Sequence, residues 1–146
     1  TLIPHSKPSL GQEELRAVTE VLRSGQITAG PMVAQFERGI AAYIGLHGGV
    51  AVSSGTVALE LALRALGVGH GDNVILPSYV CSAPWLAVQR VGAQARLVDI
   101  NPTTYNLDPQ KVRKARTSRT RAVIVPHMFG LPADFVRRAG KQAQRR

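Results

Sequence analysis

An α/β fold, with a mostly parallel sheet between layers of helix, is predicted for this chain by three features of its sequence. From residue 49 onward, short apolar runs alternate with stretches of helical period. The stretches between the runs are long enough for helical crossovers, which parallel strands need and hairpins do not. The 146 residues, 45% apolar and 18% charged, also have the length and composition of one globular unit with an ordinary core.

The elements follow in order. Ser9 stands three residues before Gln12 at capping-box spacing, and Leu15, Val18 and Leu22 recur on one helical face until Gly25 ends the helix. Gly30-Pro31 opens a second helix, in which Val33, Phe36, Ile40 and Ile44 mark an amphipathic face running to about Gly45. After the break at Gly48-Gly49, residues 49–54 (GVAVSS) are the first predicted strand and 56–66 (TVALELALRAL) a nearly all-apolar helix closed by Gly67. Residues 73–77 (NVILP) are the second strand, roughly Ser82 to Val91 a helix, and 95–100 (ARLVDI) the third strand. Asp108-Pro109 caps a basic helix, and 121–127 (RAVIVPH) is the fourth strand. The two leading helices stand outside the alternation. Residues 1–48 therefore read as a helical arm, 49–134 as the α/β part and 135–146 as a basic tail.

Charge is unevenly spread. Eleven of the 18 Lys and Arg lie from Lys111 onward against a single acid, Asp134, whereas the first 110 residues are close to neutral. The tail, RRAGKQAQRR, is either a solvated end or a contact for anionic partners. No aromatic residues interleave with its charges and no nucleic-acid module signature is present, which argues against nucleic-acid binding. Apolar stretches are interrupted by Glu60, Arg64 or glycines well short of a membrane span, and the first residues have no secretory pattern. One cysteine, Cys81, allows no internal disulfide and fits a reducing compartment, so a soluble cytoplasmic protein is expected.

The sharpest local motif is Ser53-Ser54-Gly55-Thr56, where the first predicted strand meets its helix. A helix N-terminus there offers free N–H groups and a positive dipole end to a phosphate, Gly55 lets it come close, and the Thr56 hydroxyl adds a donor. The same four residues also fit a plain turn capped by Ser54. Gly67-Val68-Gly69-His70-Gly71 follows a helix and is a loop rather than a dinucleotide fingerprint, and no P-loop is present. Cys81 and His127 both fall near strand ends, so a nucleophile pair or a buried apolar cysteine fits Cys81. His5, His47, His70 and His127 lack metal-ligand spacing. Asp99 reads as a strand-end turn residue and Asp108 as a helix cap.

Four segments in order, GQEELRAVTEVLRSGQITAGPMVAQFE, AVSSGTVALELALRALGVGHGDNVILPSYVCSA, ARLVDINPTTYNLDP and VIVPHMFGLPAD, resemble the N-terminal part of the DegT/DnrJ/EryC1/StrS family of pyridoxal-phosphate-dependent nucleotide-sugar aminotransferases. The likeness covers residues 3 to about 134. It implies the large domain of the type I aminotransferase fold, pyridoxal 5'-phosphate (PLP) as cofactor, nucleotide-sugar and amino-acid substrates, and a homodimer with shared active sites. By position it assigns Gly55 and Thr56, beside Ser54, to the coenzyme phosphate. Cys81 falls where many members place an aromatic ring against the pyridine, and Thr28, in the loop Thr28 to Pro31, becomes a candidate substrate contact. His127 belongs to the His-x-x-Gly strand end, with no assigned role.

The resemblance also implies what is absent. The lysine that condenses with the coenzyme aldehyde and the acid that pairs its pyridinium nitrogen follow the GLPAD segment in the family. Here only FVRRAGKQAQRR follows, and Lys7, Lys111, Lys114 and Lys141 sit in other contexts. The family sheet runs 3-2-4-5-6-7-1, so strand one of a chain holding strands one to four has no neighbour. The expectation is a chain truncated or frameshifted after the fourth strand and inactive alone, or else a non-catalytic module that associates with a full-length aminotransferase subunit.

Overall fold

The computed structural model describes Ile3 and residues 6–134, and groups the chain into two compact units, Thr1–Ala51 and Val52–Arg146. The basic tail predicted at 135–146 lies outside the described residues.

In the first unit, α1 (Gln12–Ser24) starts from Gly11. Ser9 is not its cap: Glu14 reaches back one turn and its Oε2 accepts the Gly11 N–H at 2.7 Å, which fixes the start two residues later. Gly25 ends the helix at φ 70°, a left-handed conformation that glycine adopts without steric cost. Helix α2 (Pro31–Ile44) has proline in its first turn, as the sequence predicts. The apolar faces of both helices remain largely open: Leu15, Val18 and Leu22 are 58–64% exposed, Phe36, Ile40 and Ile44 are exposed as well, and Ala41 alone in α2 is buried.

The predicted strand at 49–54 is not formed. Its backbone is served otherwise within the first unit, where the Ala51 N–H donates to Glu37 Oε1 at 2.8 Å. The reason lies in the sheet of the second unit, which consists of β1 (Asn73–Pro77), β2 (Gln94–Val98) and β3 (Thr120–Val123), all parallel, in the order β2-β1-β3. In the predicted numbering this is 3-2-4, the order the resemblance implies. In the order the resemblance implies, strand one neighbours none of these three, and an apolar run without a neighbour has nothing to pair its N–H and C=O groups with.

Strand β1 is central and all five of its residues are buried. Alternation sends Val74 and Leu76 to one face, where they pack with Leu63 of α3 (Gly55–Ala65) and Ala87 and Val88 of α4 (Ser82–Arg90). Ile75 points to the other face, against Val98, Leu107 and Val112 of α5 (Pro109–Ala115). Handedness explains the two faces: the chain passes outward from β1 to β2 through α4, then back across β1 to β3 through α5. Right-handed crossovers in opposite directions must lie on opposite sides of a sheet. The result is the predicted three-layer α/β/α arrangement, with β2 and β3 each beginning one residue before its predicted run and ending two and four residues earlier. Asp108 caps α5, its Oδ1 accepting the Gln110 N–H at 2.8 Å, and Asp99 pairs with Lys111 at 3.6 Å.

At the amino end of the sheet, Asn73 is buried and fully engaged. Its Nδ2 donates to Thr117 Oγ1 at 3.0 Å, and its Oδ1 accepts from Thr120 Oγ1 at 2.7 Å, tying β1 to the turn before β3. Gly92, at φ 76°, lets the chain pass beneath His70; a Cβ there would sit 2.8 Å from the imidazole. No helix among the described residues is long and apolar enough to cross a membrane.

Candidate functional site at the carboxyl ends of the strands

Helices α3 and α4 pack side by side with their C-terminal ends together: Arg64 Nη2 donates to the Arg90 carbonyl at 3.3 Å, and Glu60 pairs with Arg90 at 3.6 Å. The two helices thus run in the same direction. Because α4 follows β1 directly and runs back along the sheet, the N-termini of both helices lie at the carboxyl end of β1. In an open parallel sheet that is the end where ligands bind.

The first turn of α3 is capped from within, since Ser54 Oγ accepts the Val57 N–H at 3.3 Å and the Ser54 carbonyl accepts the Ala58 N–H at 3.0 Å. Two of the helix's four leading amides remain. Among the described residues, the N–H groups of Gly55 and Thr56 have no partner within the chain. These are the two residues assigned to the phosphate by resemblance. No heavy atom outside its neighbours lies within 4 Å of where a Gly55 Cβ would be, so the approach is open. A tetrahedral anion with several acceptor oxygens matches these donors and the dipole of the helix. The plain-turn reading of this motif stands beside it: Ser54 is the cap it expects, and the first amides of any helix lack partners within the helix.

Beyond β1 and β3 the chain departs in different directions: β1 leads to α4 on one face, whereas the turn after β3 is held by Asn106, next to Leu107 of the opposite face. A crevice opens between them, a cavity of about 340 Å³ lined by Ser78, Tyr79, Val80, Cys81, Met128 and Phe129. Cys81 is exposed there at the N-cap of α4. Tyr79, Tyr105 and Phe129 form a row with ring centroids 5.8 and 6.0 Å apart. Sequence reasoning did not single out these rings or Asn106. A signal existed, because three of only seven aromatic residues fall in the segments that follow the three strands, within seven residues of their ends.

Among the described residues no hydrogen bond joins Cys81 to His127; the Nδ1 of His127 accepts the Ala133 N–H at 3.0 Å instead. Among the described residues no group of three or more His, Cys, Asp or Glu could hold a metal ion. Thr28 lines a cavity of about 410 Å³ inside the first unit, with Val21, Ile27, Met32 and Val33 among its walls.

A parallel three-layer sheet in the order 3-2-4, with a helix start whose first amides are open at its carboxyl end, is part of the large domain of the PLP-dependent aminotransferase fold. The chain belongs to the DegT/DnrJ/EryC1/StrS aminotransferase family, whose model it matches over residues 8–142. It is 43% identical over 133 residues to the spore coat polysaccharide biosynthesis protein SpsC of Bacillus subtilis, covering 91% of this chain and 34% of that protein. It is 44% identical over 138 residues to dTDP-3-amino-3,4,6-trideoxy-alpha-D-glucose transaminase of Streptomyces venezuelae, covering 91% of this chain and 36% of that enzyme. Among solved structures, Spr1654 of Streptococcus pneumoniae, assigned as a sugar aminotransferase, superposes with a TM-score of 0.89 at 36% identity, over 94% of this chain and 35% of that one. That protein is known in forms with PLP and with pyridoxamine phosphate (PMP). The chain therefore spans about a third of the length of the relatives it matches.

Proposed function

We propose that these residues form the phosphate-binding part of a PLP-dependent aminotransferase that moves an amino group from an amino acid to a keto-sugar nucleotide, in the synthesis of amino sugars or polysaccharides. The observation that carries this reading is the pair of free amides, Gly55 and Thr56, at the start of α3. When bound, PLP supplies the electron sink that makes amino transfer possible. The residues present would hold its phosphate through the Gly55 and Thr56 N–H groups and the Thr56 hydroxyl. The Ser54 hydroxyl, which accepts from Val57, keeps its own proton to donate. Cys81 would line the ring's side of the crevice with less stacking area than an aromatic residue offers, and Thr28 would contact substrate.

The fit is confined to the phosphate and ring. Lys111 and Lys114 lie on α5, with Lys111 paired to Asp99, Lys7 precedes α1, and Lys141 lies outside the described residues. Among the described residues no lysine follows a strand end as the family's lysine does, so the 146 residues alone are proposed to be inactive in transamination. The test combines binding with trapping. PMP should bind, pyridoxamine without the phosphate should bind at least about tenfold more weakly, and Thr56→Val should weaken PMP. Borohydride treatment of the chain with PLP should label no single lysine. Equal binding of both amines contradicts the phosphate site, and a uniquely labelled lysine contradicts the inactivity.

A second reading is favoured by the open apolar faces of α1 and α2: association with another aminotransferase subunit, either a second copy or a full-length one. Sedimentation of the chain alone and with such a subunit separates the two.

A further inference from the structure

The segment after β3 carries an arrangement that the phosphate site does not explain. Asn106 is only 4% exposed, and its carboxamide is spent on the chain opposite: Oδ1 accepts the Met128 N–H at 3.0 Å, and Nδ2 donates to the Leu131 carbonyl at 3.0 Å. An acceptor facing an N–H and a donor facing a C=O fix which way the amide points. Two residues beyond, His127 Nδ1 accepts the Ala133 N–H, closing the same turn from its other side. Between these clamps Phe129 stands at φ 53° and Tyr105, next to Asn106, at φ 57°. Left-handed backbone is costly for side chains of this size and persists only where the surroundings impose it. Phe129 is 78% exposed, so no burial of its own ring repays that cost. What the strained turn does accomplish is to place the ring on the crevice that Cys81 lines from the N-cap of α4, edge-on to Tyr105 at 86°.

We propose that Asn106 and His127 are positioning residues that hold the 128–131 turn so that Phe129 forms the wall of the crevice across from Cys81. Through Phe129 they set the width of the slot open to a planar ligand. The link to ligand rests on the reading given under Proposed function; the link to Phe129 does not. A polar pair is suited to this work because directional hydrogen bonds specify one turn geometry, which apolar contacts with an exposed ring would not.

Cys81, the chain's single thiol, reports on the slot directly. The full chain would be reacted with a bulky aromatic disulfide under pseudo-first-order conditions. Phe129→Ala should speed the reaction about fivefold, and Asn106→Ala should do the same, while the double variant should be no faster than either alone. His127→Asn, whose side-chain oxygen falls near the Nδ1 position, should retain the slow rate, and His127→Ala should lose it. Amide exchange at Met128 and Ala133 should rise in Asn106→Ala while Val74 to Leu76 in β1 stay protected, which separates a released turn from general unfolding. Additive rates in the double variant, or an unchanged Cys81 rate in Asn106→Ala, would overturn the proposal. PMP titration of the same variants is read separately: failure of the unsubstituted chain to bind PMP removes the coenzyme reading, whereas the thiol cycle still decides the clamp.

Discussion

Strand β1 and helix α1 both carry apolar residues at the period of their element, yet every residue of β1 is buried and none of α1 is. The pattern on α1 is not weaker. Leu15, Val18 and Leu22 form as clear a stripe as Val74 and Leu76 form an alternation. What differs is supply. Around β1 the crossovers through α4 and α5 bring a helix to each face, so the central strand is covered by its own neighbours in sequence. Periodicity states which face an element would bury; whether the chain covers that face depends on what else it contains.

The largest expected effect tests that contrast directly. Ile75→Ala removes a fully buried side chain between β1 and α5 and should cost about 3 kcal/mol in urea unfolding. Leu22→Ala, at 64% exposure, should cost less than about 0.5 kcal/mol. A large loss for Leu22→Ala that grows with protein concentration would show α1 covered by another chain in solution, and the contrast would fall.

A pair of glycines sharpens it. Gly25 and Gly92 both have positive φ, but a Cβ at Gly25 meets nothing within 4 Å, whereas at Gly92 it meets the His70 ring. Each alanine carries the backbone penalty of about 1 kcal/mol. Gly92→Ala should therefore be the more destabilising, and the excess should vanish in a His70→Ala background. Equal losses at both glycines would mean that the second unit is no more tightly packed there than the first.

Much of the architecture is legible in the sequence for reasons these residues make plain. Gly25, Gly30-Pro31 and Asp108-Pro109 punctuate helices through local backbone chemistry, which needs no tertiary information. The run at 49–54 has the composition of a strand and fails as one, because pairing is a property of two segments and its neighbour is not among β1 to β3. Ser9 looks like a cap only until Glu14 bonds Gly11 instead. At the strand ends, Gly55 and Thr56 are readable because a helix start exposes its own amides. The clamp of Asn106 on Met128 and Leu131 spans more than 20 residues and leaves no periodic trace.

The smallest effect belongs to the first unit. The Gly11 N–H, and after it the Glu14 backbone N–H, hold the Glu14 carboxyl below its ordinary range. A carboxyl lowered in the folded state contributes above its unfolded value and loses that contribution as pH falls through the folded one. The start of α1 should therefore fray on acidification, read from the Gly11 amide resonance. In Glu14→Gln that resonance should no longer follow pH across the carboxylate range. A pH-independent Gly11 resonance in the unsubstituted chain would show that the bond does not form.

Phosphate binding at the start of α3 is tested most directly by a residue-resolved NMR titration of the 146-residue chain with PMP. The Gly55 and Thr56 amide resonances should shift furthest and saturably, and pyridoxamine lacking the phosphate should leave them in place. If those two amides stay still while the basic residues of α5 move, or if both ligands shift them alike, the site is not where the free amides place it.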